Sequence, residues 1–332
     1  MNIPIKIAGI GFNVPKTVIT NDDLSKILDT SDEWIKTRTG IEKRHVLSGN
    51  ETAVQMGIEA GKKALLKSGI NPKEIDYIIA AASFGTHIYP STACEIQAAI
   101  GADNAACFDI TAACSGLIYG LGIARAFIKS GTAKNILIVA TDAVSRCVDW
   151  TDRTTSVLFG DGAGAVMLTV SDDDQDDILA VELKADGKYG NFIQMATSGK
   201  NCPIVEQNEE KNTFVKMNGK EVYKYVVTKL PTYIEECVEK SGLKLSEIDY
   251  LVPHQANLRI IEALEQRLDF DADHVISNIQ EYANTSAASI PIAITEAIQS
   301  GKIKTPCSAI LTGFGAGMTV GTAVVRLREG IA

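Results

Sequence analysis

The sequence has no Cys-x-x-Cys pair, no apolar run of bilayer-spanning length and no surplus of basic residues. Without a run of about 20 apolar residues there is no membrane-spanning helix to expect. Residues Met1 to Ile10 read as a strand, not as a charged leader ahead of an apolar segment. A cytoplasmic location and no membrane partner are therefore expected. The seven cysteines, at 94, 107, 114, 147, 202, 237 and 307, are odd in number and scattered. That argues against a disulfide framework and against a zinc site, and leaves thiols. A net charge of −9 disfavours nucleic acid, whose phosphates need a basic surface. Any anionic partner has to meet a local basic patch.

What is present is a globular composition, 45% apolar and 22% charged over 332 residues, enough for one large or two ordinary domains. An internal repeat favours two related halves. Lys67-Ser-Gly-Ile-Asn-Pro-Lys-Glu74-Ile-Asp-Tyr-Ile-Ile79 recurs as Lys240-Ser-Gly-Leu-Lys-Leu-Ser-Glu247-Ile-Asp-Tyr-Leu-Val252, a shift of 173 positions. Each copy reads as an amphipathic helix (Ala53 to Ser68; Tyr223 to Ser241), a glycine C-cap and an apolar strand. A weaker echo pairs the stretch from Phe159 with that from Gly313. The acidic run Ser171 to Asp177 is the natural join and reads as a solvated loop, dividing the chain into halves at 1–172 and 178–332.

The chemistry gathers on Asp109-Ile-Thr-Ala-Ala-Cys114-Ser-Gly-Leu117, a buried strand turning through small residues into a helix over Gly116 to Lys129. A thiol at the positive end of that helix is pushed toward thiolate. Read alone, Cys114 is more often an inert buried cysteine, the common fate of a free thiol. The repeat adds partners. The shift of 173 carries Ala81, just past the first strand, onto His254, and Thr111 onto Asn284. Packed about a pseudo-twofold axis with strand ends together, the halves bring Cys114, His254 and Asn284 to one centre. His45, His87 and His274 read as structural. Gly160-Asp-Gly-Ala-Gly164 precedes strand-like Ala165-Val-Met-Leu-Thr169, where a dinucleotide site would start a helix. It reads as a tight backbone turn and supports no nicotinamide cofactor.

At these residues the sequence resembles the β-ketoacyl-acyl carrier protein synthase III family, initiating condensing enzymes of type II fatty acid synthesis. The motifs run nearly end to end: Asp32-Glu-Trp-Ile-x-x-Arg38-Thr-Gly-Ile41, Asp149-x-Thr-Asp-Arg153, Pro253-His-Gln-Ala-Asn257 and Asn284-Thr-Ser-Ala-Ala-Ser289. The resemblance implies an α/β thiolase-like fold of five layers, α-β-α-β-α, and a homodimer across the first half. It implies Cys114, His254 and Asn284 as the catalytic triad. The side chains fit that chemistry. A thiolate attacks an acyl-CoA thioester, with the backbone N–H groups of Cys114 and Ala316 holding the oxyanion. CO₂ loss from a malonyl thioester then builds enolate charge, which two neutral donors, His254 and Asn284, stabilise. A carboxylate base would repel the malonyl group.

Substrate contacts are implied by the same resemblance. Trp34 and Arg153 resemble residues that stack on the adenine of CoA, Thr30 one near the base, Arg38 one at the nucleotide phosphates, and Asn257 one at the pantetheine. CoA is a substrate thioester here, and no cofactor is implied. Phe314 resembles a gating phenylalanine, and Tyr89 an aromatic from the partner subunit that closes the acyl pocket. Lys224, Arg259 and Arg267 match a basic rim for acyl carrier protein, an acidic partner whose docking weakens with salt. The segment from Lys200 to Asn212 is longer than usual for the family, Lys220 replaces a neutral polar residue, and Trp150 is placed to narrow the CoA mouth.

Rival chemistries lack their residues. A thiolase needs a second cysteine at the Gly313 turn, and Cys307 is too far away. A hydroxymethylglutaryl-CoA synthase needs a glutamate after the first strand, where residues 78 to 94 hold no acid. A papain-like hydrolase would lack the duplication. The nearest alternative is a starter-unit condensing enzyme or acyltransferase of polyketide or quinolone secondary metabolism.

Overall fold

Ile136–Asp142 is buried at all seven positions, the mark of a strand covered on both faces. It lies at the centre of a five-stranded sheet. The computed structural model describes residues 3–197, 201–206 and 213–332. We label the strands of the two large sheets β1 (Ile5–Asn13), β2 (Tyr77–Ala81), β3 (Ala106–Ile110), β4 (Ile136–Asp142), β5 (Gly162–Val170), β6 (Ile178–Ala185), β7 (Tyr250–Pro253), β8 (Cys307–Gly315) and β9 (Thr319–Leu327). The first sheet has the order β1-β5-β4-β2-β3 and the second β7-β8-β9-β6. In the first, β2 runs parallel to β3 and β4; in the second, β7 runs parallel to β8.

The principal helices are α1 (Asp32–Thr39), α2 (Ala53–Ser68), α3 (Thr92–Ile100), α4 (Gly116–Lys129), α5 (Gly219–Ser241), α6 (Leu258–Leu268) and α7 (Ser289–Gln299). Helices α4 and α7 are largely apolar and lie between the sheets, where Leu117, Leu121, Ile290 and Ile294 share one core with Ile138 and Leu311. Helices α2 and α3 cover the outer face of the first sheet through Ala60, Ala64 and Ile96. Helices α5 and α6 cover the second through Val226, Ile234 and Leu264. The result is five layers, α-β-α-β-α, the thiolase fold.

The shift of 173 recurs at the ends of many elements. It relates β1 and β6 at Ile5 and Ile178, and the left-handed C-caps Gly69 and Gly242. It also relates β2 and β7, the short turns Ala113–Ser115 and Ser286–Ala288, and the starts of α4 and α7. It reaches backbone dihedrals: Ala113 has φ 46° and its counterpart Ser286 has φ 54°, both in the left-handed region. The echo fails at β3, whose counterpart Ile279–Tyr282 is a helical turn, so the second sheet has four strands.

Several expectations are corrected. Helix α5 starts at Gly219, ahead of Tyr223, because Asn218 caps it by accepting the Glu221 N–H. Gly162, Ala163 and Gly164 are the first residues of β5 and form no turn. Gly164 is needed because a Cβ there would lie 2.6 Å from Cβ of Pro291 on α7. The acidic join is only partly solvated. Asp177 is buried, accepts the Ile7 N–H at 2.9 Å and pairs with Arg328 Nε at 2.8 Å, while Asp173 also pairs with Arg328. The segment from Lys200 to Asn212 lies largely outside the described residues.

Candidate active site

Strand ends deliver Cys114 and His254, and the helical turn Ile279–Tyr282 delivers Asn284. The chain leaves β3 at Ile110 and passes Thr111 and Ala112 into the turn Ala113–Ser115, which holds Cys114 at the entrance to α4. His254 follows the last residue of β7, with its N–H donating to the Thr312 carbonyl at 2.8 Å. Asn284 is fixed through its backbone, its N–H donating to Leu158 and its carbonyl accepting from Gly160, both at 3.0 Å. Cys114, His254 and Asn284 line one cavity of 840 Å³, together with Phe314 and Ala316. No aspartate, glutamate or lysine lines it among the described residues; its charges are Arg38, Arg153 and Arg259.

Hydrogen bonds orient the two donors. Asn284 Oδ1 accepts the Ser286 N–H at 2.9 Å, which leaves Nδ2 for a ligand. Ser289 Oγ accepts the Gln255 N–H at 3.3 Å and lies 2.6 Å from His254 Nδ1. Among the described residues Ser289 Oγ meets no other acceptor, so its proton is directed at Nδ1, which places the imidazole hydrogen on Nε2. His254 is 1% exposed, and burial lowers its pKa to about 3, so the ring is neutral. Gln255 braces this loop, donating to Pro253 and Ile276 carbonyls and accepting from Asn278 N–H. Phe314 meets the imidazole edge-on, ring centres 5.4 Å apart.

Burial pushes the Cys114 thiol up to about 12, outweighing the Ser286 side chain and its own backbone N–H, which both favour thiolate. The thiolate expected at the helix start is thus not the resting form. Gly315 closes the site from below: a Cβ there would fall 2.6 Å from the Cys114 nitrogen. That close approach sets the Ala316 segment beside the Cys114 amide.

At the cavity mouth the Arg38 and Arg153 guanidinium carbons lie 4.5 Å and 5.2 Å from the Trp34 ring centre. A base sandwiched between Trp34 and Arg153 needs about 7 Å, two van der Waals contacts. The slot expected to take adenine is therefore shut, with Arg153 bound to the Asp29 carbonyl and carboxylate. Asn257 lines the cavity but its amide is engaged: Oδ1 caps α6 at Arg259 N–H, and Nδ2 donates to the Arg38 carbonyl at 3.0 Å. Arg259 donates to the Thr37 carbonyl at 2.8 Å. Thr30 does not line the cavity, and its buried Oγ1 has no hydrogen-bond partner.

Tyr89 is 89% exposed and stands away from the cavity within its own chain. Lys224 and Arg267 are exposed on α5 and α6, also outside the lining, Arg267 about 12 Å along the helix from Arg259. Trp150 does not narrow the mouth. Its Nε1 donates to the Ser145 carbonyl, and the ring lines a neighbouring cleft with Val148 and Phe214. Sequence reasoning missed Ser289, Gln255, Ser286 and Asp142; Ser286 and Ser289 lie inside a motif already noticed, while Asp142 carried no signal beyond ending an apolar strand.

A five-layered fold with a cysteine, a histidine and an asparagine lining one central cavity defines the condensing enzymes of thiolase fold as a class. Within it, the chain belongs to the β-ketoacyl-acyl carrier protein synthase III family. Residues 108–187 match 3-Oxoacyl-[acyl-carrier-protein (ACP)] synthase III, and residues 238–327 its C terminal counterpart. The chain is 44% identical over 325 residues to beta-ketoacyl-[acyl-carrier-protein] synthase III of Microcystis aeruginosa, covering 97% of each. It is 45% identical over 321 residues to that of Aquifex aeolicus, covering 97% of this chain and 99% of the relative. The solved Aquifex aeolicus 3-oxoacyl-[acyl-carrier-protein] synthase III superposes with a TM-score of 0.90 at 44% identity, covering 97% of this chain and all of that one. The priming beta-ketosynthase of the R1128 polyketide biosynthetic pathway superposes with a TM-score of 0.92 at 32% identity, covering 99% and 98%.

Proposed function

We propose that the protein condenses an acyl-CoA primer, acetyl-CoA or a similar short one, with malonyl-acyl carrier protein to give a β-ketoacyl-acyl carrier protein. This step starts fatty acid synthesis. The observation that carries the reading is the cavity itself: a half-buried thiol and two neutral donors, with no carboxylate lining it among the described residues and three arginines as its charges. A malonyl carboxylate can enter without repulsion, and its loss as CO₂ replaces a base.

In the first half-reaction the Cys114 sulfur attacks the thioester carbon. The N–H groups of Cys114 and Ala316 take the oxyanion, and collapse releases CoA thiolate. In the second, the malonyl thioester oxygen lies against His254 Nε2–H and Asn284 Nδ2–H. Decarboxylation leaves its electron pair in the enolate, whose carbon attacks the acyl-enzyme and frees the Cys114 sulfur. Arg38, Arg153 and Trp34 are assigned to the nucleotide of CoA, with Thr30 beside the base and Asn257 beside the pantetheine. Phe314 is assigned to gating, and Lys224, Arg259 and Arg267 to the acidic carrier protein. No metal or cofactor enters the scheme.

A homodimer is part of this reading. The exposed Ile88 and Tyr89, and the outer strand β3 at the sheet edge, support a partner copy whose Tyr89 closes the acyl pocket. A cytoplasmic location accords with the finding that no described helix is long and apolar enough to cross a membrane. The likeness to the R1128 priming ketosynthase favours starter-unit condensation for a polyketide as the second reading. Intact mass after incubation with acetyl-CoA and with longer and branched acyl-CoAs tests the proposal. An adduct on the native protein, absent in Cys114→Ala and discharged by malonyl-acyl carrier protein into a β-ketoacyl product, supports it. No adduct from any acyl-CoA overturns it.

A further inference from the structure

Asp142 is the last residue of β4, and the reaction scheme leaves it unused although it is 0% exposed. Its Oδ1 accepts the N–H groups of Ser83 at 2.8 Å and Phe84 at 3.0 Å. Its Oδ2 is buried and completes no hydrogen bond. A buried carboxylate oxygen left without a partner is costly and calls for a reason. The pseudo-twofold axis supplies its surroundings. The shift of 173 carries Asp142 onto Gly315, whose missing Cβ would touch Cys114 and Ala113. By the same geometry Asp142 stands against the turn Ser286–Ala288. The Ser286 hydroxyl and the Ala287 N–H face the carboxylate beyond direct hydrogen-bond geometry, and the same Ser286 hydroxyl faces the Cys114 thiol.

No other described group is placed to take the thiol proton. His254 has Nδ1 filled by the Ser289 hydroxyl and Nε2 already protonated, so its ring offers no lone pair. Among the described residues the cavity lining holds no carboxylate or lysine.

We propose that Asp142, acting through Ser286, receives the proton of Cys114 during acylation and returns it when the product forms. The inference rests on the acyl-transfer reading above. As the sulfur lone pair bonds to the thioester carbon, the S–H proton passes to Ser286 Oγ and the Ser286 proton passes to Asp142 Oδ2. Collapse breaks the carbon–sulfur bond to CoA, and CoA thiolate takes a proton from solvent. While Asp142 holds that proton it is neutral, and no buried negative charge opposes the malonyl group or its enolate. When the second tetrahedral adduct collapses, the Cys114 thiolate recovers its proton by the reverse route. The one proton that decarboxylative condensation consumes is thus the one CoA took.

Burial raises Asp142 to about 6, within reach of a neutral operating pH. The groups that face it are the Ser83 and Phe84 amides beyond β2, Ser286 and Ala287 ahead of α7, and two thiols, Cys114 and Cys147. Asp161 acts on Cys147 as well.

The test measures single-turnover acylation of Cys114 from pH 5 to 9, and in parallel its alkylation by iodoacetamide, in the native protein, Asp142→Asn and Ser286→Ala. Asparagine keeps the acceptor for Ser83 and Phe84, so the anchor survives. Acylation by the native protein should fall below pH about 6. Both variants should acylate about 100-fold more slowly at neutral pH. They should lose the acid limb, and the double variant should be no slower than either. A native pH profile in Asp142→Asn, or a loss equal at every pH, overturns the proposal and leaves Asp142 as an anchor. Should Asp142→Asn fail to fold, Ser286→Ala decides by the same criteria. If the native protein takes no acyl group yet its alkylation keeps an Asp142-dependent acid limb, the relay stands and the acyl-CoA reading fails.

Discussion

Ser289→Ala isolates the hydrogen bond that sets the His254 tautomer. The alanine removes the donor 2.6 Å from Nδ1 and leaves the ring free to carry its hydrogen on either nitrogen. A neutral hydrogen bond contributes about 0.5–1.5 kcal/mol net. If that whole difference holds the hydrogen on Nε2, its loss slows the step that uses Nε2–H by roughly 2- to 13-fold. The acylation step uses the Cys114 and Ala316 amides and should keep its rate. The assay is rapid-quench formation of the acyl-enzyme, followed separately by its discharge with malonyl-acyl carrier protein. A variant that loses both steps equally, or neither, would refute the tautomer argument.

Arg153→Ala should raise KM for acyl-CoA about 2- to 30-fold, as expected if the guanidinium leaves Trp34 and stacks on the bound base in a cation-π contact worth about 0.5–2 kcal/mol, with little change in kcat. An unchanged KM would remove Arg153 from the substrate site. Gly164→Ala should destabilise by about 1–3 kcal/mol, because the added Cβ meets Pro291 and must push α7 from β5; urea midpoints check this. His254→Ala should flatten the acid loss of stability. The folded histidine binds a proton only near pH 3, the unfolded one near 6.5, so native stability falls as pH drops through 6.5 toward 3. At pH 5 the native protein should lose about 2 kcal/mol, relative to pH 7.5, that the variant keeps. Parallel denaturant curves at the two pH values decide it.

The repeat made much of this fold legible, because a shift of 173 positions is a property of sequence alone and fixes which strand ends correspond. It located the strand ahead of His254 and brought Cys114, His254 and Asn284 to one cavity, while the helix Gly116–Lys129 was legible from its own helix-forming residues. What spacing cannot supply is the direction of a side chain. Trp150 sits within a motif expected to bind substrate yet turns into a neighbouring cleft, and Arg153 folds onto Trp34 to close the slot both were expected to line. Glycine is ambiguous for a related reason. Gly162 and Gly164 suggest a turn, but the reason for them is the proximity of α7, residues far along the chain. The thiol of Cys114 misled in a third way: the helix start favours thiolate, but burial is the stronger term, and burial depends on the second half of the molecule.

The pairing of Asp177 with Arg328 has a consequence for the order of events at the ribosome. The acid stands at the join, between β5 and β6, and its cation arrives 151 residues later, just past β9. Until then the emerging chain carries a carboxyl group meant for burial and without its counter-charge. The first half can gather its own sheet early, but that corner stays wet and unfinished until Arg328 is made. A chain broken off before Arg328 leaves the corner open for good. The ion pair thus ties the closing of this corner to residues made late in synthesis.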